Sequence, residues 1–440
     1  MKVAVIGAGI SGLACAYRLA TAEAGSDVTL FEANGYFGGH TNTVDVTLDG
    51  LTHGVDTGFL VFNHRTYPNL VKLLRELDVP TTATDMSFSV SLTDRRLEWA
   101  GSDLNTVFAQ RRNLLRPAFL RMLADILRFN RTTTELALSG KDHQLAEPVS
   151  RFLERENYST AFRDWYLLPM IGAIWSCSTS QMMAFPVGTL IRFCHNHGLL
   201  QVNDRPQWHT VNGGAREYVR RMLPAIADAR VGSPVTSVRR GAWGVEIESA
   251  RGIEHFNHVV LACHSDQALA LLADPSLDES TTLGAIGYAP NRAVLHTDAL
   301  LLPARRAWSA WNYESRTGEL SREPQLCVHY LINKLQPLPF KTPVIVSLNP
   351  VREPRPDTVL HEFAYSHPVF DQAAVQAQRV LPSIQGVRNT WFAGAWTGYG
   401  FHEDGLKSGL EAAAKLTAIA NLRNDKPGKP CKPGKPALAA

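Results

Sequence analysis

The chain has 440 residues, of which 45% are hydrophobic and 19% charged, a composition typical of a globular protein with room for two domains. Its net charge of +3 depends on the last fifteen residues, which hold four lysines and no acid, so residues 1–425 carry a net charge of −1. A nearly neutral body argues against nucleic acid as a partner.

The six cysteines show no CxxC spacing, which argues against a disulfide framework, a zinc site or a dithiol centre. A glycine-rich turn already begins at Gly7, which leaves no room for a signal peptide, and no apolar run reaches about 18 residues. These observations predict a cytoplasmic protein, either soluble or peripheral at the inner membrane surface. The cysteines are Cys15, Cys177, Cys194, Cys263, Cys327 and Cys431.

The first forty residues predict a dinucleotide-binding unit. An apolar strand ends at Ile6, a GxGxxG turn follows, and the next segment has helical periodicity. A second predicted strand ends in Glu32, twenty residues beyond Gly12, where a carboxylate receives ribose hydroxyls. The helix N-terminus favours a pyrophosphate. The predicted cofactor contacts are Gly7, Ala8, Gly9, Ile10, Ser11, Gly12 and Glu32.

The segment after Glu32 resembles the GG motif of the FAD-dependent amine oxidase and phytoene desaturase superfamily. The glycine pair is Gly38-Gly39, and the arginine usual after it is His40 in this chain. The resemblance implies FAD as cofactor and an α/β fold, in which a Rossmann-type (GR2-like) FAD-binding domain carries an inserted α+β substrate domain. It also implies that Gly58 and Phe59 lie beside the isoalloxazine ring.

Asp56, two residues before Gly58, has two open interpretations: an acid acting near the ring through a neighbour, or a carboxylate that caps a turn.

Residues 80–205 have mostly helical patterns. Residues 105–131 contain six arginines against Asp125, and an apolar stripe of Leu115, Phe119, Met122, Ile126 and Phe129. This segment is either an interfacial helix that docks on anionic lipid or an ordinary amphipathic helix with a solvated basic face.

Residues 166–176 and 192–200 are apolar and aromatic without a clear period, which predicts buried segments lining a pocket. His195 and His197 have no accompanying ligand cluster, so we predict no metal site. These segments resemble a bacterial branch of the superfamily usually described only as predicted NAD/FAD-binding proteins, several of which look linked to modification of unsaturated acyl chains in phospholipids.

Two further predictions concern residues 234–334. The resemblance implies that the strand beginning near Val235 pairs its backbone with adenine. Lys334 follows a predicted strand of the substrate domain and is a candidate for the lysine that several amine oxidases hold near flavin N5. A solvated lysine in a turn is the commoner alternative.

Residues 389–410 resemble the superfamily's C-terminal FAD motif. The resemblance implies contacts from Gly394, Ala395, Gly405 and Leu406, although the acid usual at position 395 is alanine. It also places Trp396, Tyr399 and His402 at the flavin face, where the two aromatic side chains are suited to sandwich an amine or enclose an alkene. His402 is the candidate acid or base, with flavin tethering as its alternative role.

The predicted domain organisation is interleaved. The FAD-binding domain comprises residues 1–79, 206–265 and 385–423; the substrate domain comprises the mostly helical residues 80–205 and the antiparallel sheet of 266–384. Residues 424–440, a doubled KPGKP, are predicted to be a disordered basic tail. The sequence indicates no oligomeric state.

The predicted function is FAD-dependent transfer of hydride from a substrate C–H to flavin N5. An apolar, fatty acyl lipid substrate that is desaturated or isomerised is the first hypothesis. An amine oxidase is the alternative, and a non-catalytic flavin-binding partner of a lipid-modifying enzyme is the second alternative, suggested by His40 and Ala395.

Overall fold

The computed structural model describes residues 1–440 except 24, 142–144, 176–178, 202–204, 318–323 and 425–440. The predicted disordered tail, Cys177 and Cys431 therefore lie outside the described residues. The strands are β1 (Lys2–Ile6), β2 (Asp27–Phe31), β3 (Thr43–Leu48), β4 (Leu51–Asp56), β5 (Phe62–Asn63), β6 (Thr81–Thr84), β7 (Phe88–Leu92), β8 (Leu97–Ala100), β9 (Trp208–Val211), β10 (Asp228–Arg230), β11 (Val235–Gly241), β12 (Gly244–Ser249), β13 (Gly252–Phe256), β14 (His258–Leu261), β15 (Tyr288–His296), β16 (Trp311–Thr317), β17 (Pro324–Leu331), β18 (Ile345–Leu348), β19 (Val359–Pro368) and β20 (Thr390–Phe392).

The helices are interspersed among these strands along the chain, and several are only one turn long. They are α1 (Ile10–Thr21), α2 (Pro68–Glu76), α3 (Leu104–Val107), α4 (Pro117–Leu138), α5 (Val149–Arg155), α6 (Thr160–Phe162), α7 (Leu168–Trp175), α8 (Thr179–Ala184), α9 (Val187–Asn196), α10 (Arg216–Met222), α11 (Ser265–Leu271), α12 (Leu277–Gly284), α13 (Ile332–Leu335), α14 (Gln372–Val380) and α15 (His402–Asn424).

A parallel sheet of five strands, in the order β10-β2-β1-β14-β20, forms the first domain. Four of the five residues of β1 are buried, as expected when both faces of a parallel sheet are covered. Side chains of α1, α2, α10 and α15 cover one face. The other face packs on the antiparallel sheet β11-β12-β13 and on α11, α12 and α14. This architecture confirms the predicted Rossmann-type α/β fold.

A seven-stranded sheet, in the order β19-β15-β18-β17-β16-β7-β8, forms the second domain. All of its neighbouring strands are antiparallel except β16 and β7, which pair in parallel. The helical region of residues 104–196 packs beside it through two apolar clusters.

Two predicted segment assignments differ from the structure. Residues 80–100 were predicted to begin the mostly helical segment, but they form β6, β7 and β8, and the latter two extend the seven-stranded sheet. Residues 266–284 and 372–380, predicted within the antiparallel sheet, are α11, α12 and α14. Their apolar residues, including Ala268, Leu283 and Ala377, pack against the parallel sheet, because that face must also be covered.

The predicted apolar stripe of residues 115–129 is correct in part. Phe119, Met122 and Phe129 are buried, whereas Leu115 is 88% exposed. The helix begins only at Pro117, because Arg116 has the extended conformation that a following proline favours. Among the described residues, no helix has both the length and the apolar character needed to span a bilayer.

Candidate functional site

The glycine turn between β1 and α1 has space for a ligand at one position only. Gly7 has a φ of +99°, and a Cβ on Gly12 would overlap the carbonyl of Gly7, so both glycines are required by the fold itself. A Cβ on Gly9, in contrast, would have no atom within 4 Å. Gly9 precedes α1, whose N-terminus has no side-chain cap. This open cradle at an uncapped helix N-terminus fits a dinucleotide pyrophosphate.

Glu32 lies at the end of β2 and is buried. Its Oε2 accepts the N–H of Ala8 at 2.8 Å, and its Oε1 accepts the N–H of Asn34 at 2.9 Å. A carboxylate has about four acceptor positions, so it retains capacity for the ribose hydroxyls. Ser233 donates its N–H to the carbonyl of Glu32 at 2.7 Å, which brings the start of β11, and with it Val235, to the same end of the sheet.

The GG segment packs directly on the glycine turn. Gly38 donates its N–H to the carbonyl of Ala8 at 2.8 Å, and a Cβ on Gly39 would lie 3.2 Å from Gly9 Cα. The next residue, His40, accepts the N–H of Phe59 at 2.8 Å, and a Cβ on Gly58 would overlap its carbonyl. The structure therefore brings together the motifs at residues 7–12, 38–40 and 58–59.

The C-terminal motif joins this group through α15. A Cβ on Gly405 would lie 2.9 Å from Ser11 Oγ, so α15 approaches the first turn of α1 closely. Gly394 donates its N–H to Ser408 Oγ at 2.9 Å. Leu406 is fully buried. Ser408 was not predicted, because a serine within a helix carries no distinctive signal.

Asp404 is a second residue that the sequence analysis missed. Its Oδ2 accepts the N–H groups of Tyr399 and Phe401, both at 3.0 Å, and burial raises its pKa to about 6. This carboxyl group fixes the loop of residues 398–401 that precedes α15. Ser408 and Asp404 thus hold the backbone on either side of Ala395.

Several imidazoles lie around the GG segment and the start of α15. The Nε2 atom of His40 is buried and has no hydrogen-bond partner among the described residues. Its ring lies 4.8 Å from that of Tyr365 and 5.3 Å from that of His367. Burial lowers the pKa of His40 to about 3 and that of His367 to about 4. Both are therefore neutral at pH 7, and the free Nε2 fits a polar edge of the cofactor.

His402, the predicted acid or base, is held in a fixed position. Its ring stacks on Phe59 at 3.9 Å, and its Nε2 shares a hydrogen bond of 2.7 Å with the hydroxyl of Tyr218. That hydroxyl also contacts Thr41 Oγ1 at 2.5 Å. Burial lowers the pKa of His402 to about 3. His402 is therefore neutral at pH 7 and held by protein groups, and both of its predicted roles, acid or base and flavin tether, stay predictions.

Trp396 and Tyr399 do not face each other across a common cavity. Trp396 is 2% exposed, donates its Nε1–H to the carbonyl of Cys263 at 3.1 Å, and packs within the core on one face of the parallel sheet. Tyr399 packs against the helical region, 6.1 Å from Phe193. The predicted aromatic sandwich is therefore wrong for this pair, because the turn at 395–397 directs Trp396 into the core.

Lys334 lies at the surface. Its side chain is 37% exposed and forms an ion pair of 3.0 Å with Asp85, in a cavity lined by residues 82–85, 207 and 333–337. This position does not support a role beside the flavin, and it agrees with the alternative of a solvated lysine.

Asp56 has a structural role that neither interpretation anticipated. Its fully buried carboxyl group accepts the N–H of Ala215 at 2.9 Å and the Nε2–H of Gln336 at 2.9 Å, and it contacts Thr43 Oγ1. Burial raises its pKa to about 7. It joins β4 to the start of α10 and to the segment after α13.

An aromatic junction, defined as Trp175, Phe193, His197, Tyr399 and Phe401, connects the loop before α15 to the helical region. Phe193 lies 4.6 Å from Trp175, 4.0 Å from His197 and 4.9 Å from Phe401. His197 bonds the carbonyl of Phe193, and within the described ranges no group of three metal-ligating side chains occurs. The predicted pocket-lining segments thus meet the C-terminal motif.

Comparisons with known proteins agree with this geometry. A family model described as flavin containing amine oxidoreductase matches residues 10–328. A similar solved structure is a putative protoporphyrinogen oxidase from Exiguobacterium sp. 255-15, with 16% identity and a TM-score of 0.66 over 95% of this chain and 99% of that one. A CLA-producing fatty acid isomerase from P. acnes has 14% identity and a TM-score of 0.66 over 94% of this chain and 98% of that one. Cyclohexylamine oxidase from Brevibacterium oxydans IH-35A has 16% identity and a TM-score of 0.67 over 96% of this chain and 99% of that one. No curated protein sequence matches significantly.

Proposed function

Because the chain belongs to the flavin containing amine oxidoreductase family, we propose that this FAD-dependent oxidoreductase desaturates or isomerises an apolar fatty acyl chain. Bound FAD supplies a hydride acceptor at flavin N5. The residues suited to hold it are those of the assembled site: the open cradle at Gly9, the carboxylate of Glu32, the GG segment and the N-terminal turn of α15.

The two imidazoles at this site, His40 and His402, supply orientation without charge. His402 is fixed by Phe59 and Tyr218, and the lowered pKa of His40 and of His402 keeps both imidazoles neutral at pH 7. Asp404 uses one carboxyl oxygen to hold two backbone N–H groups.

The aromatic junction is the observation that carries the proposal. It lines the boundary between the loop before α15 and the helical region with five ring side chains, of which three are wholly apolar or nearly so, and it continues into the apolar cluster around Phe185 and Met170. An acyl chain gains about 0.8 kcal/mol for each CH2 group removed from water, so such a surface favours a hydrocarbon chain.

Oxidation of an amine is the second candidate. Solved structures with similar folds include cyclohexylamine oxidase and putrescine oxidase as well as the fatty acid isomerase, with TM-scores from 0.66 to 0.67. The fold similarity therefore does not choose between the two substrate classes. The burial of Trp396 removes the aromatic sandwich that was the sequence support for an amine.

The absorbance of the protein-bound flavin distinguishes these candidates. We expect the band near ~450 nm to bleach when monounsaturated phospholipid, dispersed in non-ionic detergent, is added to the holoenzyme without oxygen. Putrescine and cyclohexylamine are expected to leave it unchanged. Isomerisation without net bleaching would appear as a change of double-bond position in recovered lipid.

A matched pair of variants strengthens the comparison. Tyr399→Asp places a charge in the aromatic junction and is expected to lose the reaction with lipid, whereas Tyr399→Leu keeps the position apolar and is expected to retain it. Trp243→Leu, on a hairpin residue that is 98% exposed, is the control outside the junction. Saturable bleaching by an amine with none by lipid, and no lipid product, would reject the acyl substrate. No response to either class would favour the non-catalytic flavin-binding partner.

A further inference from the structure

Exposed leucines are concentrated in one segment of the helical region. Of the sixteen large apolar side chains exposed among the described residues, six lie between positions 104 and 138. Leu104 is 77% exposed, Leu115 88% and Leu127 61%. Single exposed apolar residues are ordinary on a protein surface, but a cluster of them indicates a binding site.

Helix α4 is apolar on two faces. Phe119, Met122 and Phe129 are buried beneath it, while Leu120 and Leu127 lie on its outer face with exposures of 44% and 61%. The spacing of seven residues places these two leucines on the same side of the helix, two turns apart. The outer leucines belong to neither apolar cluster of the helical region, so a large part of their apolar surface is available to a partner.

The arginines of this segment alternate with the leucines along the chain. Asp125, the single acid of residues 104–131, is 2% exposed and is held by Arg121 at 3.3 Å and Arg128 at 3.0 Å. Arg111 and Arg112 instead donate to the backbone carbonyls of Phe108 and Arg96. Because a carbonyl is neutral, these bonds do not compensate the positive charge of either guanidinium group. The outer surface is therefore apolar and basic at once.

We propose that this leucine–arginine surface docks the protein on an anionic phospholipid bilayer. We define the surface as Leu104, Arg111, Arg112, Leu114, Leu115, Leu120, Arg121, Leu127 and Arg131. Leucines inserted between the headgroups and guanidinium groups bound to phosphates are the combination that holds an interfacial helix.

The position of the surface relates it to the candidate site. Helix α4 packs on α9, and α9 carries Phe193 of the aromatic junction. Docking through the outer face of α4 thus leaves one helix, α4 itself, between the bilayer and the element that contacts the loop before α15. This inference goes beyond the proposed reaction, and binding is measured independently of it.

Co-sedimentation with vesicles tests the docking. The full-length holoenzyme is mixed with vesicles of phosphatidylcholine, with or without phosphatidylglycerol, at physiological salt. We expect binding only to the anionic vesicles, and a fall of at least tenfold in the partition coefficient for L115S/L120S/L127S. The variant R111Q/R112Q/R131Q is expected to lose about fivefold per arginine, since one arginine near an anionic surface contributes about 1 kcal/mol.

Leu277→Ser is the matched control, because Leu277 is 82% exposed and is followed by Asp278 and Glu279. It should bind vesicles as the wild type does, and all variants should melt at the wild-type temperature because the changed residues are exposed.

Three results would overturn the docking proposal. The first is equal sedimentation of the wild type with both vesicle types, and the second is wild-type binding by the leucine variant. The third is a leucine variant in which only the oligomeric state on size exclusion changes, which would assign the surface to a second copy of the chain. Reduction of the flavin by detergent-dispersed lipid should be the same in the leucine variant and the wild type, so a failure of docking is distinguishable from a failure of the proposed reaction.

Discussion

Gly9 separates the requirements of the fold from those of the cofactor. At this position φ is −69° and ψ is −179°, a conformation that alanine adopts without strain. A Cβ there would meet no protein atom within 4 Å. Gly9→Ala should therefore leave the apoprotein as stable as the wild type, or more stable by about 0.4–1 kcal/mol through the lower entropy of the unfolded chain.

The effect of Gly9→Ala on FAD should be large. The new methyl group occupies the space in which the pyrophosphate approaches the backbone N–H groups of α1. Each hydrogen bond to a charged group contributes about 1.5–3 kcal/mol, so the loss of one such bond, with part of a second, costs about 2–4 kcal/mol. The corresponding fall in FAD affinity is about 30- to 1000-fold.

The assay combines the flavin-to-protein absorbance ratio with thermal unfolding of the apoprotein. Gly35→Ala is the matched control, because a Cβ on Gly35 also meets no atom within 4 Å and this exposed residue lies outside the cradle. Gly12→Ala is the opposite case, since its Cβ would overlap the carbonyl of Gly7, and overpacking of that kind typically costs about 1–3 kcal/mol or more. Wild-type FAD content in Gly9→Ala, or a loss of apoprotein stability equal to that of Gly12→Ala, would refute the reasoning.

Three further predictions concern single contacts. Lys334→Met should change the unfolding free energy by less than about 1 kcal/mol, because the ion pair with Asp85 is exposed, and should leave flavin reduction unchanged; a tenfold slower reduction would restore Lys334 as a site residue. Ser408→Ala removes the acceptor of the buried Gly394 N–H and should cost about 1–3 kcal/mol, measured by denaturant unfolding, whereas an unchanged midpoint would mean that another group takes over. The pKa of Asp56 is raised from 3.8 to about 7, so folding favours its protonated form; the stability that this supplies is fully present below pH 4 and is lost as pH rises to about 7, by at most about 4 kcal/mol. Asp56→Asn should flatten this part of the stability–pH curve, and an equal slope in the two proteins would contradict the assignment.

The parallel-sheet unit was predictable because its signals are local. The turn at Gly7–Gly12 and the carboxylate of Glu32 lie within one strand–helix–strand segment, and their spacing alone places them at one end of the sheet. The partnership of β7 with β16 was not predictable in this way. Phe88 pairs with Trp311 across more than two hundred residues, and no local pattern specifies such a pairing.

Side-chain direction was the second limit of the sequence analysis. Lys334 and Gln336 are two residues apart, yet the first is at the surface and the second is 3% exposed and bonds Asp56. Trp396 lies within the C-terminal motif, as the resemblance implied, but its ring enters the core. Which side chain of a short turn faces the site is decided by tertiary packing, which motif spacing does not contain.

The parallel sheet has a consequence for biosynthesis of the holoenzyme. Its strand order places β1, made first, beside β14, which in turn pairs with β20, and β20 is synthesised almost four hundred residues after β1. The close approach of α15 to α1 also depends on residues beyond 402. The FAD cradle therefore cannot be complete until α15 has been synthesised, and pairings of such long sequence separation form slowly. Cofactor loading should accordingly follow synthesis of α15, and a shortage of FAD should leave an apoprotein with all its site segments made as the species exposed to proteases.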